Sequence, residues 1–168
     1  IRILPGHSVR FQIILLPDDS KIWVAISGTH ELACIDRAML HNRLAQVKEG
    51  GKVTPSTKDY AHIRDDAGFL YGIRDFYKTQ GKGPRALHVT SDKVYTANYY
   101  TGELVAFNQS GKEMTSSSLG TPLASTQTGK GDMYFHDASI GFQGWQSCAS
   151  CHPNDARMDG LNWDLLNA

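Results

Sequence analysis

The first two thirds of the chain alternate short apolar runs with turn residues, a pattern that predicts β-strands. Apolar runs of five or six residues bounded by Gly, Pro, Asp, Asn or Ser are typical of strands, because the bounding residues favour turn conformations. The predicted strands are Phe11–Leu16, Lys21–Ile26, Glu31–Asp36, Arg85–Val89, Val94–Asn98 and Glu103–Asn108.

The two groups of predicted strands share a sequence pattern at an offset of 72 residues (22 to 94). At this offset Trp23 corresponds to Tyr95, and Ala25 corresponds to Ala97. Self-similarity over a long fixed period is typical of repeat architectures, among them β-propellers, in which each repeat is a four-stranded blade. One blade takes roughly 40–50 residues, so the longer period predicts an insertion.

We place this insertion at about residues 38–83. Its first part, Ala38–Val47, has apolar residues at the spacing of one helix face. An aromatic cluster follows at residues 69–77. We interpret the segment as a packed excursion between the third strand of one blade and the next blade. The alternative, a functional lid, has no motif in its favour.

Composition limits the class of protein. The chain has 168 residues, 40% of them hydrophobic, and a formal net charge of zero. This length suits one domain or parts of two. The neutral balance gives no electrostatic argument for binding nucleic acid or an anionic membrane. The longest apolar run, Ile13–Leu16, is far shorter than a membrane span, and the first residue is Ile1, so we expect the natural start to be absent.

The strongest chemical signal is Cys148-Ala-Ser-Cys-His152, which holds two of the three cysteines. C-x-x-C-H is the covalent attachment site of a c-type haem. Two thiols at this spacing reach the two porphyrin vinyl groups from one side, and the histidine that follows supplies the proximal iron ligand. The motif predicts covalent haem on Cys148 and Cys151, with His152 as the iron ligand.

Two other interpretations of the cysteine pair are weaker. A tetrahedral zinc site needs two more ligands, and no second C-x-x-C or H-x₃₋₅-H is present. A thioredoxin-like pair follows a strand, whereas Gly141–Ser147 carries two glycines and no strand alternation. The third cysteine, Cys34, lies in an apolar stretch and is predicted to pack as a small hydrophobe.

The join between the strands and the motif is rich in Ser, Thr and Gly. We interpret Ser116–Gly129 as a linker or a final outer strand and place the domain boundary inside it, which gives domains at 1–128 and 129–168. We expect a helix from Gly129 to Phe135, capped by Gly131 and Asp132, with its buried face formed by residues 133–135. The alternative is another strand through these three residues.

Two families share features with this chain. Gly83–Val89 together with Lys93–Tyr99 resembles the YVTN-type β-propeller repeat, with Thr96 where that repeat usually has Val. The segments Lys130–Phe135, Cys148–Pro153 and Asp159–Asn167 resemble the start of the cytochrome c peroxidase/MauG-like di-haem family. The last segment is similar to the members that follow a YVTN propeller, so both resemblances point to one fusion.

These resemblances imply a mainly β fold: partial propeller blades followed by the start of an all-α cytochrome c domain. They imply a c-type haem protein of the di-haem peroxidase-like superfamily that transfers electrons, with a peroxidase/MauG-like oxidoreductase as the enzymatic form. The alternative is a propeller module that binds a partner or polysaccharide and has an accessory or unoccupied haem site. The second haem motif and the distal ligand lie outside the sequence, so we expect a fragment that packs against other segments of the same protein.

Further expectations concern the surroundings of the haem and its cellular context. Trp145, Trp163 and Arg157 are candidate haem contacts, the tryptophans by packing and the arginine by pairing with a propionate. His136 could reach the haem edge, although a solvated loop is favoured. Because haem attachment depends on export-linked machinery, we expect a periplasmic or other extracytoplasmic protein, an electron donor or acceptor as partner, and no haem without that machinery.

Overall fold

The described part of the chain forms two antiparallel sheets and a few helices. The computed structural model describes residues 11–15, 20–144 and 146–152. The first sheet has the order β1-β2-β3-β4, and the second has the order β5-β6-β7-β8. The strands are β1 Phe11–Leu15, β2 Lys21–Ile26, β3 Glu31–Asp36, β4 Arg74–Lys78, β5 Pro84–Val89, β6 Lys93–Asn98, β7 Glu103–Asn108 and β8 Glu113–Ser118.

The helical elements lie in the insertion and after the second sheet. The α-helices are α1 Arg37–Lys48, α2 Gln127–His136 and α3 Cys148–Cys151. Short 3₁₀ turns cover Tyr60–Asp65, Leu123–Ser125, Ala138–Ile140 and Phe142–Gly144. None of the helices in the described ranges is long and apolar enough to cross a membrane. The fold is therefore mainly β.

The predicted repeat is confirmed at the level of register. Trp23 pairs with Cys34 across β2 and β3, and Tyr95 pairs with Ala106 across β6 and β7. Both aromatic residues are the third residue of the second strand of their sheet. The two sheets thus have the form of consecutive propeller blades, although they do not close into a ring.

The insertion is shorter than the sequence predicts. Arg74–Lys78 is not part of an excursion but forms β4, the fourth strand of the first sheet. Arg74 pairs with Ile35, and Glu113 pairs with Phe107, so the fourth strands begin only 39 residues apart (74 to 113). This spacing matches a blade of about 40 residues. The extra residues therefore lie between β3 and β4, where Asp36 caps α1 by accepting a 2.8 Å hydrogen bond from the Met39 N–H.

The two sheets pack face to face around a core centred on Trp23, which is 0% exposed. Side chains on one face of β2 and β3 meet side chains from β5, β6 and β7. Burial of apolar area at this interface is the main stabilising term that holds the sheets together. The core consists of Trp23, Ala25, Leu32, Cys34, Leu87, Val89, Val94, Val105 and Phe107.

The insertion covers the other face of the first sheet, as expected for a packed excursion. Residues of α1 and of the segment that leads into β4 bury the remaining apolar side chains of β2 and β3. This second core consists of Val24, Ile26, Ala33, Ile35, Leu40, Val47, Phe69, Leu70 and Ile73.

The second sheet keeps the same side-chain pattern on its outer face, where no described element covers it. Tyr95, Ala97 and Leu104 occupy the positions of Trp23, Ala25 and Leu32. Leu104 is 38% exposed, whereas Leu32 is fully buried. The second sheet thus offers a face of the kind that the first sheet uses to pack against its neighbour.

A candidate haem-attachment site

The helix expected before the cysteine motif is present as α2, which rules out a strand at residues 133–135. It begins earlier than predicted, because Thr126 and not Gly131 or Asp132 caps its N-terminus. The Thr126 hydroxyl accepts a 3.0 Å hydrogen bond from the Gly129 N–H. An N-cap threonine satisfies one of the free N–H groups of the first turn, so it fixes where the helix starts.

Gly129 allows α2 to pack closely on the preceding 3₁₀ turn. A Cβ at this position would collide with the carbonyl oxygen of Leu123, whereas a Cβ at Gly131 would meet nothing within 4 Å. The two glycines therefore lie in the same helix but differ in what surrounds them.

We predict that Gly129→Ala lowers the free energy of unfolding by about 1–3 kcal/mol, the usual cost of overpacking against fixed backbone. Gly131→Ala is the matched control and should raise it by up to about 1 kcal/mol, since alanine is the better helix former. Urea unfolding monitored by circular dichroism measures both. A Gly129→Ala protein as stable as the Gly131→Ala protein would contradict the close approach.

Only part of the predicted apolar face of α2 is buried. Met133 is buried, but Tyr134 is 51% exposed, which contradicts the prediction that residues 133–135 share a buried face. Consecutive residues of a helix point about 100° apart, so three in a row cannot all face inward. Helix α2 contacts α3, as expected for the helix that precedes the motif.

The cysteine motif forms a single helical turn. Helix α3 spans Cys148–Cys151, and the His152 N–H donates a 3.0 Å hydrogen bond to the Cys148 carbonyl. The Ser147 N–H donates to the Ser150 hydroxyl at 3.0 Å, which ties the residue before the turn to its last residues. Residues at positions i and i+3 of a helix lie on the same face, so the two cysteines share one side of the turn.

The accessibility of this turn suits covalent attachment of a porphyrin. Both thiols are free; Cys148 is exposed, and Cys151 and His152 are half-buried. Two reachable thiols on one face, followed directly by an imidazole, are the donor set that a c-type haem needs. By contrast, the described residues contain no group of three or more His, Cys, Asp or Glu side chains arranged to hold a metal ion.

The remaining cysteine differs from this pair. Cys34 is buried between the sheets, and burial raises the pKa of its thiol to about 11. A thiol is nucleophilic only as the thiolate, so Cys34 is inert at neutral pH. Its prediction as a small packing residue is confirmed.

Three predicted haem contacts lie outside the described residues, namely Trp145, Arg157 and Trp163. His136 is described and does not lie in a solvated loop. It ends α2, and its Nδ1 lies 2.9 Å from the Asp132 carbonyl oxygen and 3.2 Å from the Asp132 carboxylate. His136 is thus held by its own helix.

Sequence reasoning missed a cluster of charged groups around the buried Asp137, next to α2. The Asp137 side chain is 0% exposed; its Oδ2 lies 2.6 Å from Lys82 Nζ, and its Oδ1 lies 3.0 Å from His30 Nε2. Ser139 donates to Oδ1 through its hydroxyl and, at 2.8 Å, through its N–H. His30, in the turn between β2 and β3, is therefore a buried residue with a charged partner.

The surroundings of Asp137 favour its ionised form. Burial of the carboxyl acts to raise its pKa, but the hydrogen bonds from Lys82 and Ser139 and the nearby His30 outweigh burial. Together they lower the pKa from 3.8 to about 2. Asp137 is a carboxylate at neutral pH, held by partners from distant parts of the chain.

A second polar contact joins the second sheet to α2. The guanidinium carbon of Arg85 lies 3.5 Å from the centre of the Tyr99 ring, and Arg85 Nη2 donates a 2.8 Å hydrogen bond to the Tyr100 hydroxyl. Arg85 also lies 3.9 Å from the Asp132 carboxylate on α2. Burial raises the pKa of Tyr100 to about 12, so its hydroxyl stays protonated.

The chain shows distant structural similarity to known proteins. No family model and no curated protein matches the chain. Three solved structures, each 17% identical and each β-propeller-like, are similar to it. They are a catalytically inactive virginiamycin B lyase from Staphylococcus aureus with quinupristin (TM-score 0.41), hydrazine synthase from Kuenenia stuttgartiensis (0.42) and apo AztD from Citrobacter koseri (0.37).

These similarities cover 71%, 60% and 71% of this chain, respectively. The chain spans only 30%, 27% and 26% of the three solved chains. At TM-scores below 0.5 they carry no argument about fold or function, so the fold assignment depends on strand order and register.

Proposed function

We propose that this chain belongs to a c-type haem protein that transfers electrons, with a β-propeller scaffold beside the haem-bearing segment. The observation that carries the proposal is the turn Cys148–Cys151, where two free cysteines share one helix face and His152 follows directly. This donor set suits a covalently held porphyrin better than a dithiol or a zinc site.

Each residue of the motif has a separate task in this proposal. Cys148 and Cys151 would hold the porphyrin through their thiols, and His152 would supply an imidazole to its iron. When bound, the haem supplies one-electron redox chemistry, whose potential depends on axial ligands, burial and nearby hydrogen bonds. The chain's own part is to hold the ligand turn, which it does through Ser147, Ser150 and the contact with α2.

The scaffold is proposed to be part of a larger propeller. The shared register of Trp23 and Tyr95, the blade-like spacing of β4 and β8, and the uncovered apolar face of the second sheet support this architecture. That face has the composition that lets another sheet pack on it. We propose that further segments of the same protein cover it, that the protein is periplasmic or otherwise extracytoplasmic, and that it exchanges electrons with a partner protein.

Mass spectrometry tests the haem proposal directly. The chain is produced with a cytochrome c maturation system in a periplasm, and we expect one haem on the peptide that contains residues 148–152, with a Soret band that shifts on reduction. The double variant Cys148→Ser/Cys151→Ser should lose the haem. Cys34→Ala is the matched control and should keep it, because Cys34 is buried between the sheets.

An unmodified mass under these conditions overturns the haem proposal and favours the binding-module alternative. If haem is bound, reaction of the reduced full-length protein, which includes the distal position, with carbon monoxide separates two forms of the proposal. Ready binding indicates an open iron position and a peroxidase-like reaction, whereas no binding indicates a six-coordinate electron carrier.

A further inference from the structure

Asp137 links three separate parts of the chain. Helix α2 ends at His136, and Asp137 caps it at the start of the segment that leads to the cysteine motif. Its carboxylate meets His30 in the turn between β2 and β3, and Lys82 in the connection between β4 and β5. The first sheet, the connection between the sheets and the motif-bearing segment therefore converge on one side chain.

The partner His30 is itself held firmly. Its backbone has a φ of 58°, in the left-handed region that non-glycine residues rarely adopt. Its Nδ1 lies 2.9 Å from the Ser27 carbonyl oxygen and 3.2 Å from the Gly83 N–H nitrogen, and its own carbonyl accepts from the Thr79 N–H at 2.9 Å. These contacts fix the imidazole where it faces Asp137.

The residues that follow Asp137 also pack closely, first against the first sheet and then against the residues just before the motif. The Ala138 N–H donates a 2.9 Å hydrogen bond to the Gly28 carbonyl, and Ala138 is fully buried. At Gly141 an added Cβ would collide with the carbonyl oxygen of Gln146, two residues before Cys148. A shift of Asp137 against the first sheet therefore moves the backbone that precedes the thiols.

We propose that Asp137 is a positioning residue that clamps the segment leading to the Cys148–His152 turn to the first sheet and to the connection between the sheets. This inference rests on the proposed haem function for its purpose, but the clamp itself is a property of the chain without haem. A buried carboxylate with a lysine and a histidine from other segments favours one docked arrangement, because any other arrangement leaves a buried charge without partners.

Hydrogen exchange in the full chain without haem tests the clamp. Asp137→Asn keeps an oxygen that accepts from the Ser139 N–H, but it removes the charge that holds Lys82 and His30. We expect amide exchange across residues 127–152 to rise by about tenfold or more, with the protection of β2, β3, β6 and β7 unchanged. Asp92→Asn removes an exposed carboxylate on the turn between β5 and β6, leaves both clamping contacts in place and is the matched control, with little change expected.

Two outcomes of this experiment overturn the clamp. One is unchanged exchange in 127–152, and the other is an equal rise in the sheets, which would indicate general destabilisation. Lys82→Met, made alone and together with Asp137→Asn, provides a second check. Because Lys82 and Asp137 act as a pair, the double variant should exchange no faster than Asp137→Asn alone. Additive effects would mean that the two side chains act separately.

In the haem-bearing protein the reduction potential provides a readout that a change in stability alone does not alter. We expect Asp137→Asn to change the reduction potential relative to the starting protein and Asp92→Asn, which removes an exposed carboxylate, to preserve it, because the potential depends on the placement of the axial ligand and its surroundings. Faster exchange with an unchanged potential overturns the positioning role. If the starting protein takes up no haem, the haem proposal fails, while the exchange experiment still decides the clamp.

Discussion

Replacing Trp23 by alanine is expected to lower the free energy of unfolding by about 3–5 kcal/mol, the range for removing a fully buried large aromatic side chain. Trp23 is 0% exposed, lies between the two sheets and packs against Tyr77 with ring centres 5.6 Å apart. Its loss leaves a cavity in the core that joins the sheets. Urea denaturation followed by far-ultraviolet circular dichroism measures the effect.

The internal repeat provides the control for this experiment. Tyr95 occupies the equivalent position in the second sheet, but it is only half-buried and faces the uncovered side. Tyr95→Ala should therefore cost less than about 2 kcal/mol, in the range of ordinary substitutions. Equal losses at the two positions would contradict the asymmetry between the packed face of the first sheet and the open face of the second.

The apolar strands β1 to β3 and β5 to β7 were predictable, whereas the polar fourth strands, β4 and β8, were not placed by the sequence. The runs that became β2, β3, β6 and β7 are rich in apolar residues because one face or both are covered. By contrast, β8 reads Glu-Met-Thr-Ser-Ser-Ser, and most of its side chains are exposed. β4 carries charges beside its aromatics and was assigned to the insertion. Edge strands gain their pairing from backbone hydrogen bonds, which leave little trace in the side-chain pattern.

The candidate site shows the same division between local and distant information. The cysteine turn was predictable because Cys148, Cys151 and His152 are close in sequence and their spacing has a known chemistry. The clamp was not, because Lys82 and Asp137 are 55 residues apart and neither belongs to a motif. Asp137 alone indicates only a local cap, and nothing near His30 predicts that this turn is buried against it.

Acid is expected to destabilise the chain in a pH window that Asp137 sets. In the unfolded chain this carboxyl has a pKa near 3.8, and in the folded chain its pKa is about 2. Above pH 4 it is ionised in both states, so its partners contribute fully to stability. Between about pH 4 and pH 2 the unfolded chain takes up the proton first, and the free energy of unfolding falls as the pH decreases. Below pH 2 this contribution is lost.

The size of the effect follows from the difference between the two pKa values. A shift of one pKa unit corresponds to about 1.4 kcal/mol, so the lowered pKa of Asp137 contributes about 2 kcal/mol above pH 4. Urea unfolding at intervals from pH 7 to pH 2 should show that Asp137→Asn lacks this part of the pH dependence. Asp92→Asn, which changes an exposed carboxylate on the turn between β5 and β6, is the control and should retain it.

The difference in stability between the starting protein and Asp137→Asn should therefore be largest near neutral pH and shrink toward pH 2. A difference that stays constant over this range would mean that the charge of the Asp137 carboxylate contributes nothing to the free energy of unfolding. The contacts at 2.6 Å to Lys82 and 3.0 Å to His30 argue against that outcome. Protonation removes the negative charge that both partners face. The Asp137 side chain is fully buried, so solvent does not compensate for the lost attraction.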